Sequence, residues 1–433
     1  MKHLAIYVGF FILISLDLNN CLPSENKIKS FVDDDEITTI KTDNETELLE
    51  AIEILNENGG TIYIDTPVIT MNDGITLKEN SHYPGGIIGV RQENGEYPRI
   101  SFVHSNAALS SGVFIYGSNK FLEYLIIENS LNHGISVLGN NNIFDHVISR
   151  YNFASGFFVN GDYNNFNYCY SYRNSATGTF AANNDGFKIE GESNNVFNYC
   201  FAWDNRNTGF NYVRIDESSD LSYLHSGSWN NGNVNVFTGR YDYDNGRPLD
   251  KNLWTIQSIM NSDANYVSNY YNKKFNLGED AKIGFFGVQQ WTLFVSNSAE
   301  GNGFTFGNLN SSQSIDVKRS SLFNVAFDHK TGGGFVDNFN HKYNAFVTDC
   351  VSFNNGINYK FPYYTLSKWS NNWSWNSNKQ NQLNEDASLK KPKNANSAQR
   401  LIYSVRDQII NAVFANMFPD GVNFDKAINQ LQE

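Results

Sequence analysis

Apolar and polar residues alternate over short runs through the middle of the chain, and these runs share a common frame. A Phe followed eight residues later by an Asn occurs six times in this frame. The runs are FLEYLIIEN (121–129), FDHVISRYN (144–152), FNYCYSYRN (166–174), FNYCFAWDN (197–205), FVSNSAEGN (294–302) and FVTDCVSFN (346–354). Alternation with a period of two is typical of β-strands with one buried face. The pattern predicts a series of short, similar strands.

A second short element follows the Asn in four places and begins with Gly-Phe. The four segments are Gly156-Phe157-Phe158, Gly186-Phe187-Lys188, Gly209-Phe210-Asn211 and Gly303-Phe304-Thr305. Each unit of roughly 22 residues would then hold two or three strands joined by Asn/Gly turns. A propeller blade needs about 40 residues, so stacked coils fit better. The sequence predicts an all-β fold, a right-handed parallel β-helix or solenoid.

The two ends of the chain have a helical pattern. Residues 46–65 read as an amphipathic helix, a Gly-Gly stop and a first strand, which predicts a capping helix over the open end of the coil. Residues 397–418 and the segment FDKAINQLQE predict helices in a C-terminal tail. Between them, residues 237–290 break the repeat and predict a long, partly helical excursion. We therefore expect a β-helix domain over 23–395 and a packed tail over 396–433.

The N-terminus predicts export. One Lys precedes a 13-residue apolar run from Leu4 to Leu16, which is short for a membrane span and typical of a signal peptide, here residues 1–22. The expected location is extracellular, and we expect a monomer. Cys169, Cys200 and Cys350 are too few and too scattered for a disulfide framework, so they are interpreted as small core residues.

The net charge of the chain limits the classes of molecule that it is expected to bind. A formal net charge of −13 argues against nucleic acid or an anionic membrane surface as the main partner. It still allows an anionic polymer to bind locally through a cation or a few basic side chains. No P-loop, HExxH or GxSxG motif is present.

The segments NNDGF, NVFNYCFAWDN and NGNGF resemble the family 9 pectate lyases over roughly residues 45–360. The resemblance implies a secreted right-handed β-helix that cleaves pectate (polygalacturonate) by β-elimination with Ca²⁺ as cofactor. It implies a calcium site at Asp185, Asn207, Thr208 and Asn211, and it aligns the family's catalytic lysine with Thr305. Three of the family's four aspartates and its lysine are thus replaced in this sequence.

Two residues are candidates for a substitute base. Lys188 is expected to point outward, because Phe187 and Ile189 would point into the coil, and to share a column with Asn211 and Thr305. The simpler interpretation is a solvated lysine on a strand. His329, in FDHKTGG, is the other candidate base.

Two further residues are candidates for binding an acidic sugar. Arg214 could hold a uronate carboxylate, or could pair with neighbours on its strand, and Lys330 could contact substrate. Asp185 itself is either a turn residue that opens a strand or a surviving ligand for a cation or a sugar hydroxyl.

Two functions stay open at this point. The first is a polysaccharide lyase acting on an acidic polymer with a weakened or rebuilt calcium site. The second is a non-catalytic carbohydrate-binding or adhesive β-helix protein.

Overall fold

The computed structural model describes residues 37–79, 84–102, 111–130, 132–152, 154–174, 185–190, 194–213, 220–232, 235–240, 282–285, 290–295, 301–306, 318–337, 344–361, 365–383 and 387–431. Their strands wind into stacked coils, and most coils contribute a strand to each of three parallel ladders. The protein is a right-handed parallel β-helix, as the repeat predicted.

Two of the ladders, A1 and A2, belong to one continuous sheet. Ladder A1 comprises β1 (Ile37–Ile40), β2 (Gly60–Ile64), β5 (Gly85–Gly89), β8 (Lys120–Glu128), β10 (Ile143–Arg150), β12 (Asn165–Asn167), β15 (Asn195–Asn198), β18 (Leu221–Leu224), β24 (Lys318–Leu322), β27 (Asn344–Thr348) and β30 (Thr365–Ser370). Ladder A2 comprises β3 (Val68–Met71), β6 (Arg99–Phe102), β13 (Tyr170–Tyr172), β16 (Phe201–Trp203), β19 (Gly227–Trp229), β25 (Val325–Phe327), β28 (Val351–Phe353) and β31 (Trp373–Trp375). Strands β8 and β10 run through both ladders and bend at Tyr124 and His146, whose φ angles are 55° and 53°.

The third ladder is a separate sheet, sheet B. It comprises β4 (Ile75–Leu77), β7 (Val113–Ile115), β9 (Ile135–Val137), β11 (Phe157–Val159), β14 (Phe187–Ile189), β17 (Phe210–Tyr212), β23 (Phe304–Thr305), β26 (Gly333–Val336) and β29 (Ile357–Lys360). The four predicted Gly-Phe segments form β11, β14, β17 and β23, so their prediction as strands is confirmed.

The apolar half of the repeat fills the interior. Phe144 stacks on Phe166 with ring centroids 4.6 Å apart, and Phe187 stacks on Phe210 at 4.7 Å. Adjacent parallel strands lie about 4.8 Å apart, so equivalent rings in successive coils meet at stacking distance. Residues Cys169, Cys200 and Cys350 are buried and unpaired, as predicted.

Three of the six Phe residues that defined the repeat lie outside this interior. Phe121 is paired with Ile143, so the neighbouring Leu122 takes the inward position, and Val347 replaces Phe346 in the same way. Successive strand side chains point to opposite faces, so an offset of one residue moves a side chain outward. Phe294 lies in an antiparallel strand outside the three ladders.

The Asn that ends three of the six units, at Asn152, Asn174 and Asn205, belongs to a buried row. We call Asn152, Asn174, Asn205, Asn231, His329 and Asn355 the asparagine ladder; all six are fully buried. Within it the Asn152 backbone N–H donates to Asn174 Oδ1 at 3.1 Å, and the Asn205 N–H donates to Asn231 Oδ1 at 2.9 Å. The recurrent Asn thus satisfies backbone groups at a turn, where a buried polar group needs a partner.

Helices cover one end and one side of the coil. Helix α1 (Glu45–Asn58) buries Leu48, Ile52 and Leu55 against the interior core, which confirms the predicted helix. Helix α2 (Ala395–Phe414) and helix α3 (Asp425–Gln430) confirm the helical tail, and they pack on the outward aromatic residues of ladder A2. No helix in the described ranges is long and apolar enough to cross a bilayer.

The predicted excursion begins and ends in sheet C. This antiparallel sheet comprises β20 (Asn235–Arg240), β21 (Lys282–Phe285) and β22 (Gln290–Val295). The segment predicted to be helical between β20 and β21, and the predicted signal peptide, lie outside the described residues.

Candidate functional site

The candidate site lies on the outer face of sheet B, where register aligns side chains from successive coils. Phe158 is paired with Lys188, and Lys188 with Asn211. Phe210 is paired with Phe304, which brings Thr305 beside Asn211. The predicted column of Lys188, Asn211 and Thr305 is therefore present.

A second column precedes six strands of sheet B, from β7 to β23, and contains Asp185. It consists of the residue before each Gly: Ser111, His133, Ser155, Asp185, Thr208 and Asn302. The Gly is required because a Cβ at Gly186 would lie 2.7 Å from the carbonyl oxygen of Gly209 in the next coil. This close approach of backbones holds Asp185 directly over Thr208.

Asp185 is fully buried, and both of its carboxylate oxygens accept hydrogen bonds. Oδ1 accepts from Asn207 Nδ2 at 2.8 Å and from the Thr208 backbone N–H at 3.0 Å, and Oδ2 accepts from Asn211 Nδ2 at 2.8 Å. Burial raises the pKa of Asp185 from 3.8 to about 6, although these bonds and the nearby Lys188 charge act in the opposite direction. The four residues that the resemblance assigned to calcium are thus brought together.

Their donor set nevertheless does not fit a calcium ion. Calcium takes six to eight oxygen ligands, usually from several carboxylates. Here Asn207 and Asn211 turn amide N–H groups toward the one carboxylate, and Thr208 contributes its backbone N–H. Within the described ranges, no three carboxylate, imidazole or thiol side chains are grouped closely enough to hold a metal ion. Three N–H donors occupy three of the about four lone-pair sites of the Asp185 carboxylate, and the Asn207 and Asn211 side chains turn N–H groups rather than oxygens toward a cation placed there.

Lys188 lies beside Asp185, Asn207, Thr208 and Asn211, which we call the Asp185 network. It is only 6% exposed, and its Nζ is 2.7 Å from Glu190 Oε1, two residues along the strand. The ammonium also lies 5.9 Å from the centre of the Phe158 ring. Lys188 is therefore held between an acidic partner and an aromatic ring, and differs from the predicted solvated lysine.

His133 and Phe158 belong to the same surface, and the motif analysis did not select them. Their rings stack with centroids 4.7 Å apart, and His133 Nδ1 accepts from the Ser155 N–H at 3.2 Å. Burial, and then the Lys188 charge, lower the pKa of His133 to about 3, so this imidazole is neutral. The signal in the sequence is the polar-Gly-apolar triplet that recurs where β7, β9, β11, β14, β17 and β23 begin.

Thr305 occupies the position of the family's lysine and is fully engaged in the fold. Its Oγ1 lies 3.1 Å from Asn211 Oδ1 and accepts from the Tyr212 N–H at 2.9 Å. A hydroxyl in this setting provides no base near neutral pH.

His329 lies in the asparagine ladder, away from the Asp185 network. Its Nδ1 faces the Asn231 carbonyl oxygen at 3.3 Å, its Nε2 faces the Ser228 carbonyl oxygen at 3.2 Å, and burial lowers its pKa to about 4. Its coil contains β26, three coils beyond β14, which is roughly 14 Å along the stack. Lys330 follows it on an exposed turn, and Arg214 lies outside the described residues.

Comparison with known families identifies the repeat region. A family model described as "Pel9A-like, right handed beta helix region" matches residues 30–247, half of the chain. No curated protein matches the sequence.

Solved structures with a similar fold act on several polymers. The crystal structure of pectate lyase Pel9A is 19% identical with a TM-score of 0.49, covering 79% of this chain and 74% of that chain. An alginate lyase from Paenibacillus sp. str. FPU-7 is 10% identical with a TM-score of 0.35, covering 82% and 97%. The catalytic domain of a GH87 alpha-1,3-glucanase in complex with tetrasaccharides is 12% identical with a TM-score of 0.37, covering 83% and 68%. At these identities and scores the structures carry no functional argument.

Proposed function

Because the chain belongs to the Pel9A-like family of right-handed β-helix regions, we propose that it is an exported protein that binds an acidic polysaccharide of the pectate type. The observation that carries this proposal is the position of Lys188 beside Asp185, Asn207 and Asn211 on the outer face of sheet B. An ammonium group among amide side chains can bind both the carboxylate and the hydroxyl groups of a uronate.

Glu190 affects how strongly an anionic sugar can bind at Lys188. The Lys188 ammonium donates to Glu190 at 2.7 Å. A uronate carboxylate would share the ammonium with Glu190. Repulsion between the two carboxylates makes this binding weaker than binding to an unpaired lysine, and sensitive to salt.

The proposal also includes export of the chain from the cell and contacts of two further basic residues with the polymer. The apolar run from Leu4 to Leu16 would direct the chain out of the cell, where we propose that it acts as a monomer. Arg214 and Lys330 would add cationic contacts to the polymer outside the Asp185 network.

A second candidate function is β-elimination with Lys188 as the base. The amine would take the proton from the carbon next to the uronate carboxylate, a C=C bond would form, and the glycosidic oxygen on the adjacent carbon would leave and be protonated by water. The column that Lys188 shares with Thr305, where the family's lysine aligns, favours this role. Glu190 stabilises the ammonium form, so Lys188 would have to lose a proton before it acts as the base. His329, the other candidate base, is fully buried and is not assigned to the reaction. Neither function is routed through calcium.

The test is calorimetric titration of the purified chain with galacturonate oligosaccharides, in excess calcium and in chelator. Lys188→Ala is expected to weaken binding roughly 10- to 100-fold, the effect of losing one charge-assisted hydrogen bond of about 1.5–3 kcal/mol. Lys391→Ala, at an exposed lysine before α2, is the matched control and should bind as the wild-type chain does. Binding should be the same with calcium and with chelator.

Ultraviolet absorbance of the unsaturated uronide, recorded on the same mixtures, separates the two functions. A rise that Lys188→Ala abolishes assigns the chain to the lyases. Binding without a rise leaves a binding protein. Absence of binding to every uronate polymer tested contradicts the proposal.

A further inference from the structure

Two aromatic pairs lie on the outer face of sheet B, on the N-terminal side of Lys188. Register pairs Phe114 with Ser136, Ser136 with Phe158, and Phe158 with Lys188. Phe114 and Lys188 are therefore three coils apart, roughly 14 Å along the stack. This span exceeds a single sugar ring, so only an oligosaccharide could contact both ends.

The pair farther from Lys188 forms a flat, accessible surface. The rings of Phe114 and Tyr116 stack with centroids 5.5 Å apart and an interplanar angle of 10°. Tyr116 is 49% exposed, among the most exposed large apolar side chains in the described residues. The inward residues Val113 and Ile115 are fully buried, so Phe114 within β7 and Tyr116 directly after β7 point outward.

Neutral hydrogen-bonding groups and one aliphatic side chain separate this pair from Lys188. The backbone N–H of Leu138 donates to Ile115, and that of Asn160 donates to Val137, so Leu138 and Asn160 continue the row that starts at Tyr116. Asn160 is exposed, and Glu190 is next in the row. Flat aromatic rings beside amide groups suit a sugar, whose ring has an apolar C–H face and a rim of hydroxyl groups.

We infer that Phe114 and Tyr116 form a sugar-stacking subsite, and that one polysaccharide chain spans it and Lys188. The inference rests on the proposed function and adds to it the direction in which the polymer lies, along the stacking axis toward the N-terminal coils. Phe158, stacked on His133 between the two ends, would support an intermediate sugar. The Phe114–Tyr116 subsite contributes affinity only for ligands long enough to reach it.

The experiment compares a galacturonate disaccharide with a hexasaccharide by calorimetric titration. Tyr116→Ala should weaken hexasaccharide binding roughly 3- to 10-fold, the range expected for one lost aromatic stack, and should leave disaccharide binding unchanged. Tyr116→Phe should keep wild-type affinity, because the ring is retained. Tyr163→Ala is the matched control, since Tyr163 is a 53% exposed tyrosine on the turn after β11.

The outcomes separate this inference from the proposed function. Unchanged hexasaccharide affinity in Tyr116→Ala, with the loss in Lys188→Ala intact, overturns the stacking subsite and keeps the proposed function. An equal loss for both ligand lengths also overturns it, because the effect would then be structural. A wild-type chain that binds neither ligand overturns both. Thermal unfolding of each variant establishes that it is folded.

Discussion

The asparagine ladder and the Asp185 network are both built from buried polar side chains, but they differ in how they repeat. In the asparagine ladder the same kind of contact recurs at Asn174, Asn205 and Asn231, whose side-chain oxygens each accept from the backbone N–H of the ladder residue in the preceding coil. In the network a charged carboxylate meets two side-chain amides, Asn207 and Asn211, at one level of the stack. The polarity that repeats in coil after coil serves the fold, whereas the Asp185 carboxylate has Ser155 and Thr208 as its equivalents in the neighbouring coils and is what distinguishes the candidate site.

The largest effect is expected from breaking the ladder. Asn205 Oδ1 accepts from the N–H and the Nδ2 of Asn174, and Asn205 Nδ2 donates to Asn231 Oδ1 and to the Ser171 carbonyl. Asn205→Ala leaves these buried partners unsatisfied and should lower the free energy of unfolding by about 4 kcal/mol. Denaturant unfolding measures the loss.

The control for this variant is Asn378→Ala. Asn378 is exposed and donates to the Lys330 carbonyl, so its replacement should change stability by less than about 0.5 kcal/mol. Similar losses in the two variants would show that the asparagine ladder is not a special source of stability.

A smaller effect, which depends on pH, is expected at the one imidazole of the ladder. Burial lowers the pKa of His329 from 6.5 to about 4. Its stabilising contribution is complete above pH 6.5 and is lost as pH falls toward 4, because the unfolded chain binds the proton first. The loss is about 3 kcal/mol at 1.36 kcal/mol per unit.

His329→Asn restores an amide at this position and should remove that acid sensitivity. Unfolding free energies of the wild-type chain and the variant, measured from pH 7 downward, give the difference directly. Parallel curves for the two proteins would mean that His329 titrates as it does in the unfolded chain.

The effect at Asp185 is similar or slightly smaller, and it has the opposite sign. Burial raises its pKa from 3.8 to about 6, so its contribution is complete below pH 3.8 and is lost as pH rises through 6. The shift corresponds to about 3 kcal/mol. The free energy of unfolding of Asp185→Asn, relative to that of the wild-type chain, should therefore rise by about 3 kcal/mol between pH 4 and pH 6.

The same titrations, run on Asp185→Asn, test this. A constant difference between the variant and wild-type curves over this range would contradict the raised pKa. In the wild-type chain the contributions of Asp185 and His329 oppose each other, so each becomes visible only in the single variants.

The repeat made much of the fold predictable from sequence. Alternation around Phe144, Phe166 and Phe197, and the Gly-Phe segments, predicted stacked parallel coils, and the structure has them. The same frame predicted the wrong face at Phe121 and Phe346. A shift of one residue moves a side chain to the opposite face of its strand, and the spacing between Phe and Asn does not reveal such a shift.

The candidate site was only partly predictable. The column of Lys188, Asn211 and Thr305 followed from the repeat frame. The partners of Asp185 did not, because amide groups can either ligate or donate, and their orientation depends on the neighbouring coil. His329 was selected for its chemistry, whereas its location in a row of asparagines gives it a structural role.

By itself, the sequence determined the coil: a period of two sets which side chains face inward, and a recurring Asn-Gly pattern sets where the chain turns. Only the tertiary structure decided what each polar side chain does. Asp185 accepts three hydrogen bonds, Lys188 meets Glu190, and Tyr116 stays open to solvent. Some of these contacts join residues of neighbouring coils, which are about 20 to 30 residues apart in the chain. The local sequence does not show which way a side chain points toward the neighbouring coil.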